Sequence, residues 1–391
     1  MWRDHQVVDT DGHIMEPLWL WPDYLDPAYR KNGLQVLRDP ADGDKLLVNG
    51  RPSQIIRRLG GIVPVPGQAV EDWNTLPADG SFASYRDSCT SASWNAEHRV
   101  AWLDETGIGS TLLFPSLGLI WPREAGPDSP YTVAHFDAYN RWLLDMTADT
   151  SGRLLPVAQL AFTEGLVKRV VSLAEQGFRH VMLPTGIGTS LRTADSFFAT
   201  TQDIGLTVHL HKVAIPHFLG TEQPTSLQNP RLGRFFNHVH ETLPGQLFLT
   251  ALLDSRVLDR FPHLRFAFHE CNAGWLPAWI ERAHESWETL HGTGQQLPDQ
   301  PPKHYLQDRD TLFFSVGLGE DLAAMPDWLH RRIMLATDYP HPGTPTDPAS
   351  AWAPALEALP HDAAAGLLSA NAGRMMPAAT AKLEVRHDRT N

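Results

Sequence analysis

Cysteine is nearly absent: the 391-residue chain has two, Cys89 and Cys271. Two thiols allow one disulfide at most, and they offer neither a zinc-finger spacing nor the framework of a stapled scaffold. Also missing is any cluster of lysines or arginines that could track a phosphate backbone. The 45 acidic residues outnumber the 32 basic ones for a net charge of -13, which argues against nucleic acid as a partner. No apolar run reaches the length needed to cross a bilayer, and "MWRDHQVVDTDGH" arrives at a polar cluster before a signal-like segment could form. A cytoplasmic protein without a membrane partner is expected. No repeat of about 20 to 50 residues runs through the chain, which excludes solenoids and propellers.

Core material, by contrast, is ample. Hydrophobic residues make up 42%, charged residues 20%, and 13 tryptophans are spread along the chain, enough for a packed interior. The length exceeds the usual single domain, but barrels of alternating strands and helices hold about 250 residues or more around one core. One domain over residues 1–391, with insertions, is expected.

The order of elements supports that architecture. After the strand "VVDTDGHI" comes a Pro- and Gly-rich stretch, residues 17–95, read as an insertion that caps the mouth of the fold. Within it, Asn49-Gly50 predicts a tight hairpin turn. From "NAEHRVAWLDETGIGSTLLFPS" onward, helix and strand alternate. The segments "RLLPVAQLAF", "RHVMLP", "LTVHLHKV", "HLRFAFHE", "TLFFSVG" and "RIMLATDYPH" read as strands. Between them, "YTVAHFDAYNRWLLDMTADT", "EGLVKRVVSLAEQG", "TADSFFATTQDIG", residues 231–256, "GWLPAWIERAHESWETLHG" and "DLAAMPDWLHR" read as helices. Thr193 or Asp195 is the expected N-cap of the third. Such alternation implies parallel pairing, and about eight units close into a (β/α)8 TIM barrel with its chemistry at the carboxyl ends of the strands. "HKVAIPHFLGTEQPT", residues 211–225, is a second candidate lid, with Pro216 and Gly220 as breakers.

The residues just past those strands are mostly metal-binding types. A strand of valines that ends in aspartates, a glycine and a histidine is costly unless a cation shares the charge. Asp11 and His13, one residue apart, point to the same face of an extended chain, and His209 and His211 share the same parity. His269 and Glu270 are adjacent, so only one points straight into a barrel unless the strand has already ended. Asp338 follows the last strand. Each has a plainer reading. A histidine on an apolar strand is more often a hydrogen-bonded core residue, the class that suits His209, and Asp before Tyr-Pro is ordinary turn chemistry. Together at the ends of the first, fifth, sixth and eighth strands, they fit a catalytic divalent ion with one open position.

The markers "DTDGHIMEP", "LDETGIGSTLLFPS", "YNRWLLDM", "GRLLPVAQL", "GLTVHLH", "FPHLRFAFHECNAGWLPAWIERAHE" and "ATDYPHPGT", in that order, resemble the amidohydrolase-related metal-dependent enzymes. That family includes aminocarboxymuconate-semialdehyde decarboxylase and resorcylate decarboxylase. The resemblance implies a barrel with one divalent ion at its mouth, held by Asp11, His13, His211 and Asp338. Zinc comes first as the ion, with manganese or iron as alternatives. Two departures stand out: D-x-H replaces the H-x-H of many members, and "HECNAGW" leaves open whether His269 or Glu270 faces the ion. Relatives that share "GWLP" usually carry glutamate at the second position, which favours Glu270 as ligand or base. No lysine ends the fourth strand "VMLPTG", so a carbamylated-lysine bridge between two ions has no residue.

Either of two chemistries would use this set. Hydrolysis of a small carbonyl- or carboxylate-bearing substrate comes first, with Asp338 as the proton acceptor and His211 or His269 beside the developing oxyanion. Nonoxidative decarboxylation of a small aromatic or unsaturated acid comes second, hydration of a double bond or ligand binding without turnover third. His341, Trp275, Arg192, Trp121 and His209 are the candidate substrate contacts, with Trp275 readable as a packing anchor, Arg192 as a solvated charge and Trp121 as a lid contact. The resemblance suggests a homodimer acting on a small molecule.

Overall fold

The computed structural model describes residues 2, 5–39, 44–54, 85, 90–184, 188–212, 239–341 and 343–376. Most of the 211–225 segment, Cys89 and residues 231–238 therefore lie outside the described residues.

Eight parallel strands form one sheet: β1 (Val7–Ile14), β5 (Ile108–Pro115), β6 (Leu154–Gln159), β7 (His180–Leu183), β8 (Thr207–His211), β9 (Arg265–His269), β10 (Leu312–Val316) and β11 (Ile333–Leu335), adjacent in that order. The intervening β2 (Gln35–Leu37), β3 (Lys45–Val48) and β4 (Arg51–Pro52) make a separate three-stranded antiparallel sheet. Its β3–β4 turn places Asn49 and Gly50 at φ 51° and 73°, the left-handed pair an Asn-Gly hairpin requires.

The barrel strands read as near-continuous apolar runs because both faces are buried. Side chains alternate between two cores. Those pointing outward meet the helices, where Leu103, Trp142, Val170, Phe197, Leu252 and Trp352 are packed. Those pointing inward, Leu112, Phe114, Val157, Met182, Ala267, Phe313 and Met334, fill the barrel, with Ala372 and Met375 packed against them. Burying side chains of this size stabilises by about 1.5–3 kcal/mol each. The last helix of the described residues, Asn371–Met375, is tied to the fifth barrel strand where Thr207 Oγ1 donates to the Met375 carbonyl at 2.7 Å.

Closure between the first and eighth strands is nearly complete and runs just past the end of β11. Asp338 N donates to Asp11 O at 2.8 Å, and His13 N donates to Tyr339 O at 2.6 Å. These two bonds place the residues expected at opposite ends of the sequence side by side.

The helices follow their sequence signals with two differences. Asn95 accepts from His98 N at 3.0 Å to start the helix Ala96–Thr106, which ends on left-handed Gly107. The helix Asp195–Ile204 has Ala194 at its cap position without a side-chain bond, because Asp195 turns instead to Arg260, 2.7 Å away. "DLAAMPDWLHR" breaks at Pro326 into a short turn and the helix Asp327–His330. No helix of the described residues is long and apolar enough to cross a membrane.

Candidate metal centre

His13 sits near the end of β1 and His211 at the end of β8. Each spends its Nδ1–H on a backbone carbonyl: His13 on Pro115 O at 2.9 Å, His211 on Lys212 O at 2.7 Å. Since a carbonyl only accepts, the bare Nε2 of each neutral ring is left to point elsewhere. Both point at one spot, 3.2 Å apart. Asp11 Oδ1 completes the group, 3.6 Å from His13 Nε2 and 3.3 Å from His211 Nε2. Asp338 Oδ1 lies 3.3 Å from His13 Nε2, and Glu270 Oε1 4.0 Å from it.

These separations have a simple meaning. Four ligands about 2.0–2.1 Å from a central ion, at the corners of a tetrahedron, lie roughly 3.3–3.4 Å from one another. Two bare imidazole nitrogens face each other at 3.2 Å without a proton to share unless one ring is charged. Asp11 Oδ1 is buried and accepts no hydrogen bond. A buried carboxylate oxygen without a hydrogen-bond donor is costly, and a divalent cation fits the donors around it. The backbone carbonyls behind both histidines supply the orientation that ligating imidazoles receive from their surroundings.

The electrostatics point the same way. Burial drives His13 well below its ordinary value, helped by His341 and His211. Against burial, Asp11 and Glu270 raise His211. Burial raises Asp11, whereas Glu270, despite burial, is held well below the usual carboxylate range by Lys212 and His211. Burial pushes Asp338 up to about 7, opposed by His341 and assisted by the neighbouring Glu270 and Asp11. Burial thus leaves Asp11 and Asp338 short of compensating positive charge, while Lys212 and His211 supply it to Glu270.

Adjacent His269 and Glu270 are separated by the chain ending its strand between them. β9 stops at His269, and Glu270 takes φ 49°, a left-handed conformation that swings its side chain toward the mouth. Asn272 and Asp338 share this strained geometry at φ 50° and 59°, which costs of order 1 kcal/mol or more each for non-glycine residues. His269 stays in the barrel interior, with Nδ1 3.9 Å from Asp11 Oδ2.

Beneath the cluster runs a belt of hydrogen bonds. His180 Nδ1 meets His209 Nε2 at 2.9 Å, His209 Nδ1 meets His269 Nε2 at 2.8 Å, His269 Nδ1 meets Ser315 Oγ at 2.8 Å, and Ser315 Oγ meets Thr10 Oγ1 at 2.9 Å. Thr10 Oγ1 donates to Leu335 O at 2.9 Å, and that carbonyl fixes every proton behind it. Ser315 must donate to Thr10, His269 to Ser315, His209 to His269, and His180 to His209. Both ring nitrogens of His269 are thereby occupied.

Of the remaining sequence candidates, His341 joins the cluster. Its Nδ1 lies 2.8 Å from Asp338 Oδ1 and 3.8 Å from Glu270 Oε1, its ring stacks on His13 at 3.9 Å, and its Nε2 meets Ser116 Oγ at 2.8 Å. The structure does not bring Arg192, Trp121 and Trp275 to it. Arg192 pairs with Asp254 on the surface. Trp121 is buried against Tyr131, His135 and Phe136. Trp275 donates to Cys271 O at 2.9 Å and packs on Trp279 and Phe314.

Several supporting residues escape sequence reasoning. Asp9 is fully buried and accepts from Thr111 Oγ1 at 2.8 Å, Thr337 N at 2.9 Å and Thr337 Oγ1 at 2.9 Å, tying the first strand to the second and eighth. Glu16 accepts from Leu117 N at 3.0 Å and Gly118 N at 2.7 Å, fixing the loop that carries Ser116. Lys212 Nζ stands 3.4 Å from both Glu270 and Glu241. A second aspartate in "VVDTDGH" was the one visible signal among these.

Comparison with known proteins adds the family. The amidohydrolase family model matches residues 90–377, and the chain belongs to that family, an enzyme family. No curated protein sequence matches. An amidohydrolase from Mycobacterium avium subsp. paratuberculosis K-10 has a similar structure, with TM-score 0.74 at 18% identity over 95% of this chain and 99% of that one. So do a 2,6-dihydroxybenzoate decarboxylase from Rhizobium (TM-score 0.60, 14% identity, 95% and 98% covered) and a dihydroxybenzoic acid decarboxylase from Polaromonas sp. JS666. The latter, solved with manganese and the inhibitor 2-nitroresorcinol, has TM-score 0.60 at 14% identity over 95% of this chain and 96% of its own.

Proposed function

We propose that the chain is a metal-dependent hydrolase of a small carbonyl- or carboxylate-bearing substrate, cyclic or aromatic in kind. The observation that carries the metal is the pair of bare Nε2 atoms of His13 and His211 at 3.2 Å, beside an orphaned Asp11 oxygen. Asp11, His13, His211 and Asp338 would hold one divalent ion, zinc first and manganese or iron as alternatives, with Glu270 as a further ligand or base. Such an ion supplies Lewis-acid polarisation of a substrate oxygen and lowers the pKa of water from 15.7 to about 7.

The chain's own residues then divide the work. Asp338 accepts the proton of the attacking water and returns it to the leaving group. His341, raised to about 10 by Asp338 and Glu270 in spite of burial, holds that carboxylate in position through Nδ1 and is itself held by Ser116. Lys212 keeps Glu270 ionised. His269, with both ring nitrogens used in the belt, supports the layer above.

The match to the amidohydrolase family and the amidohydrolase of similar fold support hydrolysis. The second reading, nonoxidative decarboxylation, is supported by the two decarboxylases of similar fold. A panel of lactones, amides and ortho-hydroxy aromatic acids, assayed in parallel for solvent oxygen incorporated and carbon dioxide released, separates the two. Oxygen incorporation without carbon dioxide supports hydrolysis; carbon dioxide without incorporated oxygen replaces it with decarboxylation.

A further inference from the structure

Arg99 lies on the helix Ala96–Thr106, remote in sequence from every residue of the cluster, yet its side chain is fully buried against the closure of the barrel. Its Nε donates to Ala92 O at 2.8 Å and its Nη2 donates to the carbonyl of His13. The guanidinium carbon lies over the ring of Tyr339, 4.4 Å from its centroid, and Trp102 stacks on the same ring at 3.9 Å. No carboxylate among the described residues pairs with it, and Nη1 has no hydrogen-bond partner.

Burial lowers its pKa to about 10, so it stays cationic at neutral pH. Burying a charge without an ion-pair partner is costly, and the bonds to the Ala92 and His13 carbonyls offset only part of that cost. The structure offers a reason for keeping it. Tyr339 directly follows Asp338, and its carbonyl receives the His13 amide. One guanidinium thus grips the strand end that carries His13 from its carbonyl side and the loop that carries Asp338 from its aromatic side.

We propose that Arg99 is a positioning residue of the metal centre, a clamp that sets the 3.3 Å approach of His13 and Asp338 across the closing seam of the barrel. The inference rests on the metal reading above. It assigns a function to a residue that touches neither ion nor substrate. The clamp needs the planar fork and its stacking face together, which neither a lysine nor an apolar side chain supplies.

Mn2+ affinity, measured by titration with detection of the free ion's electron paramagnetic resonance, tests this on wild type, Arg99→Met and Arg99→Lys. Thermal unfolding of each metal-free chain is recorded alongside. Arg99→Met removes the buried charge but leaves the Ala92 and His13 carbonyls without that donor, so it is expected to fold with a lower unfolding temperature, while its Mn2+ dissociation constant rises by about 10- to 100-fold, the range found when groups supporting metal ligands are removed. Arg99→Lys should weaken binding at least fivefold. A folded Arg99→Met with wild-type affinity overturns the clamp alone. If Arg99→Met does not fold, Arg99→Lys decides, and wild-type affinity there overturns it too. A wild-type chain that binds no Mn2+ overturns the metal reading and the clamp with it.

Discussion

His209 Nδ1 lies 2.8 Å from His269 Nε2, so neither nitrogen is available to an ion or a substrate. The two rings belong to a belt that crosses from the fourth barrel strand to the fifth, sixth, seventh, first and eighth. Its consequences are thermodynamic. Replacing His209 by leucine leaves the His180 donor and the His269 acceptor buried without partners, at about 1–3 kcal/mol for each orphaned group. Ser315→Ala orphans one, the Nδ1–H of His269, and is expected to cost about half as much. Urea unfolding of the two variants measures both losses, and equal, negligible costs would mean that the belt is not formed.

Acid should weaken the contact between His135 and the Leu34 amide. His135 Nε2 accepts from Leu34 N at 3.2 Å while its Nδ1 donates to Tyr131 O at 2.8 Å, an arrangement open only to the neutral ring. Burial lowers its pKa to about 4 and that of His180 to about 3. An unfolded histidine takes its proton near pH 6.5, so between that pH and the folded values the unfolded chain binds more protons, and stability falls as pH falls. Each ring contributes a loss of about 1.4 kcal/mol per pH unit in that window. Stability measured at pH 7.5 and 5.5 should drop less in His135→Gln than in wild type, by about 1 kcal/mol. Identical slopes would contradict the assignment.

Asp338→Asn keeps the shape of the loop but removes the proton acceptor together with a proposed ligand of the ion, so it is assayed with the metal in excess. A drop of about 10²- to 10⁴-fold in kcat is expected, with the unfolding midpoint within a few degrees of wild type. A variant that retains more than a tenth of the wild-type rate would move the base elsewhere, with Glu270 the next candidate.

Much of this site was legible because strand parity is a local property. Asp11 with His13, and His209 with His211, are pairs whose shared face follows from one intervening residue, and the alternation of strands and helices places Asp11, His13 and His211 at one rim, with His209 a layer deeper. The choice between His269 and Glu270 was not legible, since it depends on where β9 ends, and that end is set by a left-handed residue that no local preference demands. Arg192, Trp121 and Trp275 are candidates by their chemistry rather than by a place just past a strand, and the structure gives them an ion pair and packing contacts. Asp9, Glu16 and Arg99 act through partners about a hundred or more positions away, a relation that only the closed barrel creates.

The central claim is that residues from both ends of the chain surround one divalent ion. A crystal structure of the chain loaded with zinc or manganese, with anomalous scattering recorded at the metal edge, tests it directly. The account predicts one anomalous peak per chain, about 2.0–2.2 Å from His13 Nε2, His211 Nε2 and carboxylate oxygens of Asp11 and Asp338. A fully occupied peak elsewhere, or none at that position after loading, would contradict it.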